Sequence, residues 1–213
     1  MWLKVSLLIT GLMIVLILVF WGSWSVSLKC IAAIAALIPV HAAEEWFFPG
    51  GFAFQYNLFL YKSEQPKCYP MNRASDMVTV FGTTVMYAVI VLGYMVTGKA
   101  LPNGVLLGAV CFSFLEVSVH TYFGIRAYGK FRSKGKTTIY SAGMMTAYTG
   151  FLPLAVIMIY QIASQKLGAG DIIICLLILG ATSILCFVPE KRFKDKNSKY
   201  AYPDCGYYEK FIR

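Results

Sequence analysis

The sequence contains few charged side chains and very few histidines. Only 14% of its 213 residues are Asp, Glu, Lys or Arg, and it has two histidines and ten acidic residues. About a quarter of the residues in an ordinary soluble domain are charged. Because the hydrophobic fraction is 58%, this shortage of charge excludes an ordinary soluble domain and indicates a chain that folds in lipid.

Motifs of common soluble enzymes are also missing. The chain has no Walker, Rossmann or zinc-finger spacing, no internal repeat and no low-complexity tract. Its six cysteines show no zinc-site spacing, and four of them fall in or beside apolar runs. We therefore expect free thiols or small apolar fillers rather than a disulfide framework.

Long apolar runs are what the chain does have, and each approaches the roughly 20 residues that cross a bilayer. They predict an all-α integral membrane bundle of about six transmembrane helices, at about residues 2–21, 27–46, 77–97, 102–123, 138–162 and 171–188. The first run has Lys4 ahead of an apolar stretch, as a signal peptide does. However, the stretch is long, and Trp21 and Trp24 stand where small residues allow cleavage. We interpret it as the first span.

Basic residues are distributed unevenly between the predicted loops. With the N-terminus in the cytoplasm, 16 of the 19 Lys and Arg residues lie on the cytoplasmic side. The positive-inside rule therefore predicts that the N- and C-termini are both cytoplasmic. The 16 residues are Lys4, Lys62, Lys67, Arg73, Arg126, Lys130, Arg132, Lys134, Lys136, Lys191, Arg192, Lys194, Lys196, Lys199, Lys210 and Arg213.

The predicted organisation is a six-helix transmembrane domain, residues 1–190, followed by a basic, aromatic cytoplasmic tail, residues 191–213. The orientation accounts for the net charge of +9, so we expect no nucleic-acid partner. Anionic lipid headgroups are the expected partner of the basic tail. The aromatic residues of the tail indicate a docking surface; they are Tyr200, Tyr202, Tyr207, Tyr208 and Phe211.

Ionisable residues inside two of the predicted spans are the most unusual feature. Such groups cost roughly 2.5–3.5 kcal/mol each on insertion scales and usually face a cavity or a partner. The second span contains His41, Glu44 and Glu45, and the fourth contains Glu116 and His120. At about 100° per residue, the two residues of each His/Glu pair spaced by four lie about 40° apart. Both patches fall towards the cytoplasmic ends of their spans, so the sequence predicts one site between the two helices.

Two imidazoles and three carboxylates suit a divalent metal ion. Zinc takes His and Glu ligands, and carboxylate-rich sites in helix bundles hold iron or manganese. We predict that His41, Glu45, Glu116 and His120 are ligands of zinc or iron. Glu44 is then the general base, or a bridging ligand if two ions bind. The alternatives are a structural lock of His–Glu hydrogen bonds and a proton or ion pathway.

Polar residues near the cytoplasmic ends of other spans are weaker candidates for hydrogen bonding to the site. Asn72 and Asp76 precede the third span, and Tyr140 and Ser141 lie at the start of the fifth. Helix capping is the simpler explanation of Asp76, and anchoring at the membrane interface is the simpler explanation of Tyr140. The aromatic start of the connection at residues 47–76 is also expected at the interface.

The segment HAAEEWFFPGGF resembles the HXXEE family of bacterial membrane proteins, whose motif is matched by His41, Glu44 and Glu45. The resemblance extends to the segment with Glu116 and His120 and to residues 140–160, and so covers most of the chain. It implies a multi-span protein of the bacterial inner membrane. The family carries no settled activity, so the resemblance strengthens the site and leaves the reaction open.

These features predict a metal-dependent membrane enzyme, of hydrolase or di-iron type, that acts on a lipid or other apolar substrate near the cytoplasmic face. One alternative is a metal-free hydrolase similar to glutamate-type intramembrane peptidases, although Pro49 stands where those proteins have an arginine. Another is a proton-coupled transporter that uses the cluster as a relay. Neither an inverted repeat nor a polar outer half of the bundle favours the transporter.

Overall fold

Helices form all the regular structure of residues 2–212, the part of the chain that the computed structural model describes, and no strand occurs there. The all-α prediction is therefore confirmed. Met1 and Arg213, predicted in the transmembrane domain and in the basic tail, lie outside the described residues. The helices in chain order are α1 (Trp2–Val19), α2 (Val26–Trp46), α3 (Phe52–Phe59), α4 (Arg73–Thr97), α5 (Asn103–Phe131), α6 (Met144–Ile162), α7 (Ala169–Phe193) and the short α8 (Glu209–Ile212).

Five of the described helices, α2, α4, α5, α6 and α7, are long and apolar enough to cross a bilayer. The remaining long helix, α1, has 18 residues and a slightly shorter apolar stretch, Leu3–Val19. A soluble protein of this size would not leave so many apolar helix faces exposed. The chain is therefore a helical membrane protein with five candidate spans among its described residues.

The five candidate spans pack as a ring in the order α2, α4, α7, α5, α6, and α1 lies outside the ring against α2 and α4. Small buried residues of α2, including Ala32, Ala35 and Ala36, allow its neighbours to approach closely. Thr10 of α1 donates a hydrogen bond to the carbonyl of Ala36 at 2.8 Å, which ties the outer helix to the ring.

The helix α6 begins later than the sequence predicts. The predicted span starts at residue 138, whereas the helix starts at Met144 and then passes through a π-helical segment, Ala147–Phe151. The preceding residue, Gly143, has a φ of 92°, whereas residues of a right-handed α-helix have a φ of about −63°. A continuous helix therefore cannot pass through position 143, and glycine is the residue that adopts this φ readily. Ser141 instead packs against α5 and donates a hydrogen bond to the carbonyl of His120 at 2.8 Å.

One end of the ring, called the site end here, carries the first residues of α1, α4 and α6 and the last residues of α2, α5 and α7. The C-terminal segment, residues 194–212, folds back over this end. Tyr208 of that segment is fully buried and donates a hydrogen bond to Gln55 of α3. The rings of Phe131 and Phe211 stack with centroids 6.0 Å apart. The tail aromatics therefore dock on the chain's own α3 and α5.

Candidate metal centre

The two His/Glu patches meet inside the ring. The Nε2 atoms of His41 and His120 lie 3.1 Å apart. The Oε1 atom of Glu45 lies 3.4 Å from each of these nitrogens, and the Oε2 atom of Glu116 lies 3.4 and 3.5 Å from them. Two triangles of possible ligand atoms thus share the His41–His120 edge. His41, Glu45 and His120 are buried, and their donor atoms all lie within 4.8 Å of one another.

Helix geometry explains why these side chains converge. His41 and Glu45 are one turn apart on α2, and Glu116 and His120 are one turn apart on α5, so each pair projects from one face of its helix. Both helices end at the site end and therefore run in the same direction. Because the order is His then Glu on α2 but Glu then His on α5, each histidine lies level with the glutamate of the other helix.

The spacing within the cluster differs from that of direct ion pairs. Hydrogen bonds between a charged nitrogen donor and a carboxylate are about 2.7–2.9 Å long, whereas the four His–Glu distances are 3.4–3.5 Å. Two ligands of a tetrahedral metal ion with bonds of about 2.0–2.1 Å lie about 3.3–3.4 Å apart. The four His–Glu distances therefore match those between ligands of a shared ion, whereas the two imidazole Nε2 atoms, 3.1 Å apart, lie at hydrogen-bond distance. The donor set fits zinc or iron.

Glu44 contacts a different set of groups. Its carboxylate accepts hydrogen bonds from the Tyr140 hydroxyl (2.9 Å), the Met145 amide (3.0 Å), and the amide and hydroxyl of Thr146 (2.8 and 2.6 Å). Amide groups in the first turn of a helix have no partner within the helix, and an anion there faces the positive end of the helix dipole. Burial and the nearby carboxylate raise the pKa of Tyr140, so its hydroxyl stays a donor. Glu44 therefore holds the start of α6 against α2.

Thr146 connects Glu44 to His41. A carboxylate only accepts hydrogen bonds, so the Thr146 hydroxyl donates to Glu44 and its oxygen accepts from Nδ1 of His41, which lies 2.6 Å away. This arrangement keeps the proton of a neutral imidazole on Nδ1 and directs the lone pair of Nε2 into the cluster. Metal-binding histidines are commonly oriented in this way through the nitrogen that does not bind the ion.

Packing, rather than a hydrogen bond at its second nitrogen, fixes the ring of His120. Its Nδ1 atom is buried and has no hydrogen-bond partner among residues 2–212. The ring centroid lies 5.3 Å from that of Phe52 and 4.8 Å from that of His41. A Cβ atom on Gly143 would overlap atoms of the His120 imidazole. Glycine at position 143 is thus required by the backbone conformation and by the histidine ring.

A cavity of 540 Å³ opens beside the cluster, within the range of about 300–1,000 Å³ that is usual for small-molecule sites. His41, Glu45 and Glu116 line its inner part, and the Glu116 side chain is the most exposed of the four cluster members, at 21%. Leu115 and Phe187 also line the cavity and are 53% and 60% exposed. The cavity therefore continues into the outer apolar surface of the bundle.

The weaker sequence candidates fall into two groups. Tyr140 and Ser141 contact groups around the cluster, through the Glu44 carboxylate and the His120 carbonyl. Asn72 caps α4 by accepting from the amides at the start of that helix. Asp76 is buried, lines the cavity and accepts a hydrogen bond from the Tyr202 hydroxyl.

Sequence reasoning missed two residues that shape the site, Thr146 and Gly143. A threonine in an apolar helix usually bonds to its own backbone, so nothing in the pattern distinguishes Thr146 from Thr149. A signal for Gly143 does exist, because a Ser-Ala-Gly sequence directly before an apolar run favours a late helix start.

Comparison with known families bears on the same residues. The family described as "Protein of unknown function with HXXEE motif" matches residues 32–158, which is more than half of the chain. The chain belongs to this HXXEE family. No curated protein and no solved structure matches the chain. The matched segment contains both His/Glu patches and the start of α6.

Proposed function

We propose that this HXXEE protein is a metal-dependent membrane enzyme that acts on a lipid or other apolar substrate. The observation that carries the proposal is the spacing of the cluster. The two distances of 3.4 Å from Glu45 to the imidazole nitrogens are too long for charge-assisted hydrogen bonds and match the separation of ligands around one ion. A cavity that reaches the apolar outer surface supplies a route for the substrate.

In this proposal His41, Glu45 and His120 hold a divalent ion, zinc or iron. Two histidines and one glutamate form the ligand set of several catalytic zinc sites, which keep a further position open. A bound ion at such a site lowers the pKa of water and polarises a carbonyl or phosphoryl oxygen of the substrate.

Glu116, which the sequence predicts as a fourth ligand, is not among the three side chains whose donor atoms all lie within 4.8 Å of one another. In this proposal it is instead the group that moves protons. It contacts both imidazole nitrogens, it faces the cavity, and its side chain is the most exposed of the four. Its carboxylate takes a proton from the attacking water and returns it to the leaving group. The described cavity lining includes Glu45 and Glu116 but not Glu44. The general-base role predicted for Glu44 therefore passes to Glu116, and Glu44 positions His41 through Thr146.

A hydrolytic reaction at one ion is favoured over di-iron chemistry. Di-iron sites in helix bundles use four glutamates and two histidines, contributed by four helices. The cluster described here offers two glutamates and two histidines from α2 and α5. This smaller donor set suits a single ion.

The orientation in the membrane is part of the proposal. Apart from Arg213, the residues predicted to be cytoplasmic lie at the site end, and the other three basic residues, Lys29, Lys99 and Lys166, lie at the opposite end. The positive-inside rule then makes the site end cytoplasmic. With α1 as a sixth span, both termini are cytoplasmic, in the inner membrane of a bacterium. The basic tail contacts anionic headgroups there.

The test combines metal content and turnover. The purified protein, loaded with zinc or iron, is placed in nanodiscs of a total bacterial lipid extract, and lipid products are followed by mass spectrometry. We expect new lipid species with the parent protein, and none with Glu116→Gln, which keeps its metal. Products in equal amount from both proteins, or no metal in either, would contradict the proposal. Glu64→Gln is the matched control, because Glu64 is exposed and lies outside the described cavity lining.

A further inference from the structure

Apart from His41, the side chains of ionisable residues that line the cavity beside the candidate metal centre are all acidic. Among the described residues, its lining includes the carboxylates of Glu45, Glu116, Asp76 and Glu190 but no lysine or arginine. This is notable in a chain with 19 basic residues. Apart from the ion of the proposed metal centre, a substrate with an anionic headgroup would find no lysine or arginine in this cavity, whereas binding sites for phosphate and carboxylate groups normally supply them.

Glu190, near the end of α7, is a buried carboxylate without a cationic partner. It is 8% exposed and accepts hydrogen bonds from the hydroxyls of Tyr56 (2.6 Å) and Tyr61 (2.7 Å). None of the ion pairs among residues 2–212 involves it. A carboxylate has about four acceptor positions, so two remain after these bonds. A buried charge is costly without an opposite charge, and a cation in the cavity would provide one.

Aromatic rings surround the same part of the cavity. The rings of Tyr56 and Tyr61 have centroids 5.5 Å apart, Tyr56 and Phe123 are 6.2 Å apart, and Tyr122 and Phe123 are 5.5 Å apart. All four side chains line the cavity. The faces of aromatic rings attract cations, and groups of such rings bind quaternary ammonium ions.

The helices α5 and α7 leave room for an apolar chain. At the end opposite the site they approach closely, because Gly104 lies against the backbone of Asp171 and Gly108 against Ile178. Towards the site end the cavity lies between them, and the outer part of its lining includes the exposed Leu115 and Phe187. An acyl or alkyl chain can therefore extend from the cavity into the surrounding lipid.

We propose that the substrate is a cationic amphiphile, with an amine or quaternary ammonium head bound by Glu190 and the rings of Tyr56, Tyr61, Tyr122 and Phe123. Its apolar chain leaves the cavity between α5 and α7. A cavity of this volume is on the order of 10 Å across, so the bonds next to the bound head lie within reach of the candidate metal centre. The reaction rests on the proposed function, but binding of the cationic head can be tested without it.

The test compares amphiphiles that share one tail. Dodecyltrimethylammonium and dodecyl sulfate are titrated, below their micelle concentrations, into the purified protein in a neutral maltoside detergent, and affinities are measured by calorimetry. We expect the cation to bind at least about tenfold more tightly than the anion. Glu190→Gln should lower the affinity for the cation about tenfold, whereas Glu64→Gln should leave it unchanged.

A second variant keeps the test decisive if Glu190→Gln does not fold. Tyr122 is 42% exposed, so Tyr122→Leu should fold, and we expect it to weaken cation binding by several-fold. Equal affinities for cation and anion, or cation binding that neither variant changes, would overturn the inference. Metal content is measured on the same samples. Metal at one ion per chain without a preference for the cation would overturn the substrate class alone, whereas absence of metal would overturn the proposed function alone.

Discussion

The two nitrogens of the His41 imidazole lie in different surroundings. On the Nδ1 side, Thr146 and Glu44 form hydrogen bonds of 2.6 Å each, and the Glu44 carboxylate accepts four hydrogen bonds in total. On the Nε2 side, the carboxylates of Glu45 and Glu116 lie 3.4 Å away, and Nε2 of His120 lies at hydrogen-bond distance, 3.1 Å. The helix α2 thus supplies Glu44, which accepts hydrogen bonds from close partners, and Glu45, whose carboxylate lies 3.4 Å from both imidazole nitrogens.

This difference favours a binding site over a structural lock. If the cluster only locked the bundle, its carboxylates would approach the imidazoles to about 2.7–2.9 Å. Instead, the two carboxylates on the Nε2 side lie 3.4 Å from the His41 nitrogen, which leaves them at the spacing of ligands around an ion. The Nδ1 side is therefore interpreted as the support, and the Nε2 side as the place where a ligand binds.

Replacing the two glutamates of the motif one at a time gives the largest expected contrast. Glu45→Gln removes a charged ligand, so we expect metal affinity to fall by more than about 100-fold. Glu44→Gln disturbs only the support, for which a loss of about 10–100-fold is usual. Metal affinity is measured by competition with a chelator of known affinity. Equal losses of metal affinity in the two variants would contradict the assignment of Glu45 as a ligand and Glu44 as a support.

The next effect concerns the glycine beside His120. Gly143→Ala places a side chain at a φ of 92° and against the imidazole, so we expect the free energy of unfolding to fall by about 2–3 kcal/mol. Thermal unfolding in detergent measures this change. Gly180→Ala is the control, because no atom lies within 4 Å of the added Cβ, and it should be neutral or slightly stabilising. A stable Gly143→Ala protein with bound metal would show that the His120 ring is not held as described.

Removing the hydroxyl between Glu44 and His41 should have a smaller effect. Thr146→Val breaks both hydrogen bonds of the relay, and we expect metal affinity to fall about tenfold while the bundle stays folded. Thr149→Val is the matched control, because the Thr149 hydroxyl is exposed and donates to the Met145 carbonyl of its own helix. Identical metal affinities in the two threonine variants would exclude a role for the relay.

The smallest effect is expected for Tyr140→Phe. This change removes one of the four hydrogen bonds to Glu44, so stability should fall by about 1 kcal/mol. Metal affinity should change by less than about threefold, because the three other bonds still hold the carboxylate. The measurements are thermal unfolding and chelator competition. A large loss of metal affinity would mean that Tyr140 affects the metal ligands directly, and not only through its hydrogen bond to Glu44.

The sequence predicts the helices well and their boundaries less well. Apolar runs locate α2, α4, α5 and α7, because a span needs a continuous apolar surface. The eight-residue α3 was not predicted, since a short aromatic segment has no clear helical period. The start of α6 was placed too early because Gly143 and the capping by Glu44 depend on contacts with α5 and α2.

The candidate site was predictable in part, for a physical reason. Ionisable residues are costly in a membrane helix, so His41, Glu45, Glu116 and His120 stand out in the sequence. The direction of Glu44 does not follow from the sequence. Consecutive residues point about 100° apart on a helix, so Glu44 and Glu45 face different neighbouring helices. Which helix packs against each of them depends on segments that are distant along the chain.

The measurement that tests the account most directly is the transition-metal content per chain. The protein is purified in detergent without a metal-chelating tag, alongside His41→Ala and His120→Ala, and each sample is analysed by mass spectrometry for bound metals. The account predicts about one zinc or iron ion per chain in the parent protein and loss of that ion in both variants. Equal metal content in the parent and the two histidine variants would contradict it, as would a parent protein that takes up no zinc or iron when either is supplied.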